Sequence, residues 1–141
     1  MDHVVYVDAK AKELEELIAG TKTMIIRGAT GRKLPYGRVN MEDILYFINN
    51  DGEGKVWVKG NVTDVYNSDK MAEDESISLA EKNQDKLGLT EKQFEKWAGK
   101  RYIVLIQVGN IETIDPFEID KSNYGNMDDW LPFENIDSVR L

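Results

Sequence analysis

Cysteine is absent from the 141 residues, which excludes a disulfide framework, a thiolate zinc site and a cysteine nucleophile, and suits a reducing cytoplasm. A single histidine, His3, leaves Ser-His-Asp chemistry with one candidate base. Its place on a short strand near the start of the chain reads as an edge-strand surface residue rather than half of a catalytic pair. No unbroken apolar stretch exceeds the length of residues 102–106, against the roughly 20 residues a membrane-spanning helix needs. The first residues do not join a basic segment to an apolar one, so we expect neither a membrane nor a secreted protein. Cofactor signatures are missing too. The run Gly28-Ala29-Thr30-Gly31-Arg32-Lys33 is followed by Leu34, not by the Ser or Thr of a phosphate loop, and there is no dinucleotide fingerprint. The pairs Asp51/Glu53 and Asp128/Asp129 have too few ligands for a calcium loop. No cofactor and no structural metal are implied.

What is present is an ordinary globular composition, 41% hydrophobic and 31% charged, with an uneven charge distribution. The net charge is −8, yet all 26 acidic residues lie outside the segment 17–41. That segment carries five basic residues, Lys22, Arg27, Arg32, Lys33 and Arg38. Such an island draws an anionic ligand to one face of a protein that repels it elsewhere. The plainer alternative is that the five pair with surplus carboxylates nearby.

The pattern of elements reads as α+β. Val4, Val5, Tyr6 and Val7 form a strand ending at Asp8, a helix-capping residue. Leu14, Leu17 and Ile18 follow at helical spacing until Gly20, giving a helix over 9–19. Residues 24–26 read as a short buried strand, 28–37 as a Gly-rich basic loop, and 44–48 as a strand. A turn at 50–54 then closes a hairpin with the Val56-Trp57-Val58 run. Pairing continues to Tyr66 through a bulge or bend at Gly60. From Ser68 a weakly amphipathic helix lies on the surface. Thr90 and Gln93 form a capping box, and Leu89 and Phe94 a hydrophobic staple, around a short helix with Trp97 and Ala98. Residues 102–108 form the most apolar strand, Gly109-Asn110 permits a bulge, and Pro116 stops the pairing. The last 25 residues read as irregular, with Trp130, Leu131 and Phe133 packed back as plugs. One domain over residues 1–141 results: a small β-barrel or strongly curved mixed sheet of five to seven strands with about three peripheral helices.

The helix ending Gly20-Thr21-Lys22 and the strand leading to Arg27 make a Gly-x-Lys-x4-Arg motif at a helix-to-strand transition. With Pro35-Tyr36-Gly37 and the strand 44–47, this segment resembles the ASCH family of PUA-like domains, best over residues 4–66 and in an archaeal branch. The resemblance implies a β-barrel with a cleft into which Lys22 and Arg27 look, and roles connected with RNA or nucleotides. One branch with a similar motif hydrolyses an acetylated cytidine, using the lysine with a nearby Thr or Glu. Here Ile25 stands where that threonine is expected, and Glu73, Glu75 and Glu81 are the candidates for the acidic partner.

Together these features lead to an RNA- or modified-nucleotide-binding module. Lys22 and Arg27 sit in its cleft, with Arg32, Lys33 and Arg38 on phosphates and Tyr36 stacking on a base. Trp57 is a second candidate for stacking, although a packing role suits it better. So few positive charges in an acidic protein favour a short or end-specific ligand. Two alternatives follow. In one, the chain is a small hydrolase of an acylated nucleoside with Lys22 as the catalytic group and Arg27 as electrostatic stabiliser. In the other, it is an interaction domain whose acidic residues in 69–100 contact a basic ribonucleoprotein partner.

Overall fold

The computed structural model describes residues 1–120 and 129–141, so Asp128 of the Asp128/Asp129 pair lies outside the described residues. Its elements are β1 (Asp2–Val7), α1 (Glu13–Ala19), β2 (Met24–Ala29), β3 (Ile44–Asn49), β4 (Lys55–Asn67), α2 (Glu73–Lys82), α3 (Gln84–Leu87), α4 (Glu91–Trp97), β5 (Tyr102–Glu118), β6 (Trp130–Phe133) and a 3₁₀ turn, Ile136–Ser138. The strands form one mixed sheet in the order β2-β5-β4-β3-β1-β6. It curls into a half-barrel, and among the described residues only the β1–β3 pairing is parallel.

The apolar runs on β2, β3 and β5 are continuous because both faces of the sheet are covered. Val5, Val7, Leu45, Phe47, Val58, Val104 and Ile106 point inward with Leu14 and Leu17 of α1. Their neighbours Met24, Ile26, Ile103 and Leu105 point outward and meet Ala80, Leu87 and Leu89 from the helical segment. At the other end Val4, Tyr46, Ile48 and Val56 pack on Leu131, Phe133, Ile136 and Val139. Curvature comes from β4 and β5, whose pairing shifts register three times, once between Lys59 and Asn61. Gly60 sits at that shift: a Cβ there would stand 2.7 Å from Ile111 Cδ1 and 3.3 Å from Gly109 O, so a larger residue would have to displace the Ile111 side chain.

Four readings from sequence are corrected. Helix α1 begins at Glu13 rather than at residue 9. Asp8 Oδ1 accepts the Ala11 N–H at 3.1 Å within a turn, and Lys12 at φ 57° separates that turn from the helix. Pro116 does not end the pairing, because β5 runs to Glu118 with Phe117 opposite Val56. The proline lies in a bulge, and β2 pairs only with 102–107, so its missing N–H leaves no ladder bond unmade. Trp130 and its neighbours are not irregular plugs but strand β6, antiparallel to β1.

His3, finally, is fully buried, since β6 covers β1 and removes the edge. Its Nδ1 accepts the Trp130 indole N–H at 3.1 Å and its Nε2 lies 2.9 Å from Asp43 Oδ2. An indole only donates, so the ring is neutral with its proton on Nε2. Burial pushes the imidazole below its ordinary 6.5, outweighing the upward pull of Asp43. Burial also acts to raise Asp43, but the Asn40 N–H, His3 and the terminal ammonium hold that carboxyl below 3.8. The unfolded chain therefore takes up a proton near pH 6.5 that the folded chain refuses. Stability is full above that pH and falls on acidification by up to about 1.4 kcal/mol per pH unit. Urea midpoints at pH 7.5, 6.5 and 5.5 should fall along the series for the native chain and flatten for His3→Gln; a flat native series would contradict the buried neutral ring.

Candidate ligand-binding site

Strands β2 and β1 are not paired, and one residue of β2 bridges the seam between them. Arg27, 6% exposed, donates from Nη2 to Tyr6 O on β1 and from Nη1 to Ile26 O, both at 2.8 Å. Its Nε lies 3.1 Å from Asp129 Oδ2, just before β6. The guanidinium also faces Trp97 at 5.1 Å and Trp130 at 5.6 Å from the ring centroids, so it is held as much by aromatic faces as by carbonyls.

Beside Arg27 opens a pocket of about 320 Å³, walled by the β2–β5 pair, the loop after β2 and the end of α4. Gly28 makes its floor possible, because a Cβ there would stand 2.9 Å from Trp97 O and 3.1 Å from Lys100 Cγ. Helix α4 is placed by the expected capping box: Thr90 Oγ1 accepts Gln93 N–H at 3.2 Å, and Gln93 Oε1 accepts Thr90 N–H at 3.0 Å. On the loop side the Tyr36 hydroxyl donates to Ser68 O, and its ring meets Tyr102 edge-on at 5.6 Å. Arg32 lies over both rings, at 5.7 and 5.5 Å.

The lining carries four cations, Arg27, Lys33, Lys96 and Lys100, and one carboxylate, Asp129. Among the described residues, Asp129 pairs with Arg27, and no ion pair within 4 Å holds the three lysines. Their charge is therefore available to an anion. The aromatic surface beside it comes from Trp97, Tyr36 and Tyr102.

Of the residues singled out in sequence, Arg27, Lys33 and Tyr36 line this pocket and Arg32 stacks at its edge. Lys22 and Arg38 are not in the lining. Arg38 is exposed. Lys22 is 1% exposed, donating to Leu87 O and pairing with Glu13 Oε2 at 3.1 Å. Glu13 is fixed in turn by the Gln93 amide at 3.1 Å and the Asp8 N–H at 3.2 Å. The acidic partner of Lys22 is thus Glu13, on the helix that precedes it, whereas Glu73, Glu75 and Glu81 are exposed. Ile25 is core. Trp57 is 38% exposed and lines a different groove.

Sequence reasoning missed Lys96, Trp97, Lys100 and Tyr102 as site residues. The signal was a second acid-free stretch, residues 96–111, with Lys96, Lys100 and Arg101; Lys96 and Trp97 end α4, and Lys100 lies beyond it, past Gly99 at φ 86°. Of the five basic residues in the 17–41 segment, Lys22 and Arg27 do pair with carboxylates, as the plainer alternative held. Among the described residues, Arg32, Lys33 and Arg38 do not.

No family model matches the chain, and no curated protein matches it. Solved structures do. An ASCH protein from Zymomonas mobilis superposes with a TM-score of 0.68 at 13% identity, over 94% of this chain and 88% of that one. A tyrosine-to-phenylalanine variant of the same protein gives 0.71 at 12%, over 97% and 93%. A serine-to-alanine variant gives 0.71 at 12%, over 97% and 91%. The likeness spans nearly the whole length of both chains, beyond residues 4–66 where the sequence resemblance is best. The chain therefore has the fold of the ASCH domains, the PUA-like family that its Gly-x-Lys-x4-Arg segment resembles.

Proposed function

We propose that the protein binds a short RNA or a modified nucleotide in the Arg27 pocket. The observation that carries this reading is the set of three lysines, Lys33, Lys96 and Lys100, that have no ion pair among the described residues, around a cavity that also offers aromatic surface from Tyr36 and from Trp97, over whose ring the Lys96 amine lies at 4.7 Å. Lysines supply point charges for phosphate, and the rings supply stacking for a base. A ligand can approach the backbone closely at Gly31, which is in the lining and has nothing within 4 Å of its Cβ position. At about 320 Å³ the pocket holds one nucleotide unit rather than a helix. With the rest of the chain acidic, a strand end or a free nucleotide is the better ligand. Arg32, over the Tyr36 and Tyr102 rings, adds a further cation beside the lining. ASCH structures as neighbours fit a nucleic-acid role.

The hydrolase reading has weaker support, because the Lys22 ammonium is engaged by Glu13 and Leu87 inside the protein. Titration of a 5′-phosphorylated RNA pentamer and of single nucleotides, with ligand recovery followed, tests both readings. Lys33→Ala/Lys96→Ala/Lys100→Ala should weaken binding at least tenfold and flatten log Kd against log salt by about 2. Binding that persists in the triple variant overturns the site, and consumption of the ligand moves the reading to a hydrolase.

A further inference from the structure

A second concavity of about 380 Å³ lies between α1 and the β4–β5 strand pair, sharing no lining residue with the Arg27 pocket. Ile18 and Trp57 line it while remaining 48% and 38% exposed. Neither is left there by accident of a chain end. Ile18 belongs to the apolar stripe of α1, whose other members, Leu14 and Leu17, are buried. The stripe is one residue wider than the core it packs on. Trp57 sits where the β4–β5 register shifts between Val56 and Val58, opposite the bulge that holds Pro116. Against β3 the extra residue is Trp57 itself, since Phe47 faces Val58 and Ile48 faces Val56; a bulged residue leaves the regular alternation, and this one lies in the same groove as Ile18. Ile114 completes the apolar lining.

The charge at this groove has one sign. Glu15 and Glu53 are in the lining, and no basic residue is. Phosphate of RNA or of an anionic lipid surface is repelled there, whereas a lysine or arginine beside an apolar anchor is attracted. We infer that the Ile18–Trp57 groove docks a basic amphipathic peptide segment of a partner protein, its apolar side chain on Trp57 and its cationic side chains toward Glu15 and Glu53. An aromatic at the centre of a contact with charges at the rim is the usual arrangement of a binding hot spot. The protein would then hold an anionic ligand at one site and a cationic peptide at the other.

The test uses two synthetic peptides with identical leucine and tryptophan positions, one with lysine and one with glutamate at the remaining positions. Binding to the full chain is followed by calorimetry, with sedimentation in parallel. The lysine peptide should bind at least tenfold more tightly than the glutamate peptide. Trp57→Ala and, separately, Ile18→Ser should each weaken it several-fold or more. Glu15→Lys/Glu53→Lys should reverse the preference. Glu73→Gln/Asp74→Gln/Glu75→Gln removes comparable charge away from the groove and should leave the affinity within twofold. The inference is overturned by equal binding of the two peptides, by binding that survives Trp57→Ala and Ile18→Ser, by equal loss in the α2 triple variant, or by a dimer in sedimentation that Trp57→Ala abolishes.

Discussion

Lys22→Ala should lose about 3–5 kcal/mol of stability, because it strands the Glu13 carboxylate, 5% exposed, without its cation. The hydrogen bonds from Gln93 and the Asp8 backbone would remain, but both donors are neutral and together offset only part of an unpaired buried charge. The Leu87 carbonyl would also lose its donor. These contacts tie α1, α3 and α4 to the start of β2, so the loss should appear as a large drop in urea midpoint. Replacing both partners, Glu13→Leu with Lys22→Met, leaves no stranded charge and should recover most of the loss. In the sequence reading Lys22 is a cleft residue, and its removal would abolish binding or turnover while leaving the fold intact. The two views separate cleanly: a Lys22→Ala protein of native stability that no longer binds RNA would place the ammonium on the ligand after all.

The same lysine shows where legibility in the sequence ends. The strand 44–48, the hairpin turn, the Gly60 bulge and the Thr90/Gln93 cap are all local patterns, set by residues within a few positions of each other, and each is present as read. The Glu13–Lys22–Gln93 cluster joins residues up to 80 positions apart, and no local pattern encodes it. Strand β6 is similar. Trp130 and Leu131 look like plugs because four residues with a proline make a poor strand by propensity, and only pairing with β1 holds them extended. His3 was misplaced for the same reason, since the strand that buries it lies 127 positions away. In the pocket, the loop's share was visible as an acid-free segment. The share of the α4 side was not, because nothing local ties residues 96–102 to the loop after β2, although 96–111 carries Lys96, Lys100 and Arg101 and no acidic residue; only the β2–β5 pairing brings the two segments together.

Arg27→Ala is the change expected to act on fold and site together. It removes two charge-assisted hydrogen bonds, to Tyr6 O and Ile26 O, each worth about 1.5–3 kcal/mol. It also leaves the faces of Trp97 and Trp130 without the guanidinium between them, so the seam between β2 and β1 loses its filler. A stability loss of about 3 kcal/mol or more is expected, with a fall in affinity of at least tenfold for the phosphorylated RNA pentamer. Arg27→Lys separates the contributions. Lysine keeps the positive charge but has no planar fork to reach two carbonyls on different strands while lying against two indoles. It should therefore bind RNA less tightly than the native chain and unfold at lower urea. If Arg27→Lys binds at native affinity, the pocket uses Arg27 only as a charge, and the shape that its guanidinium gives the seam plays no part in recognition.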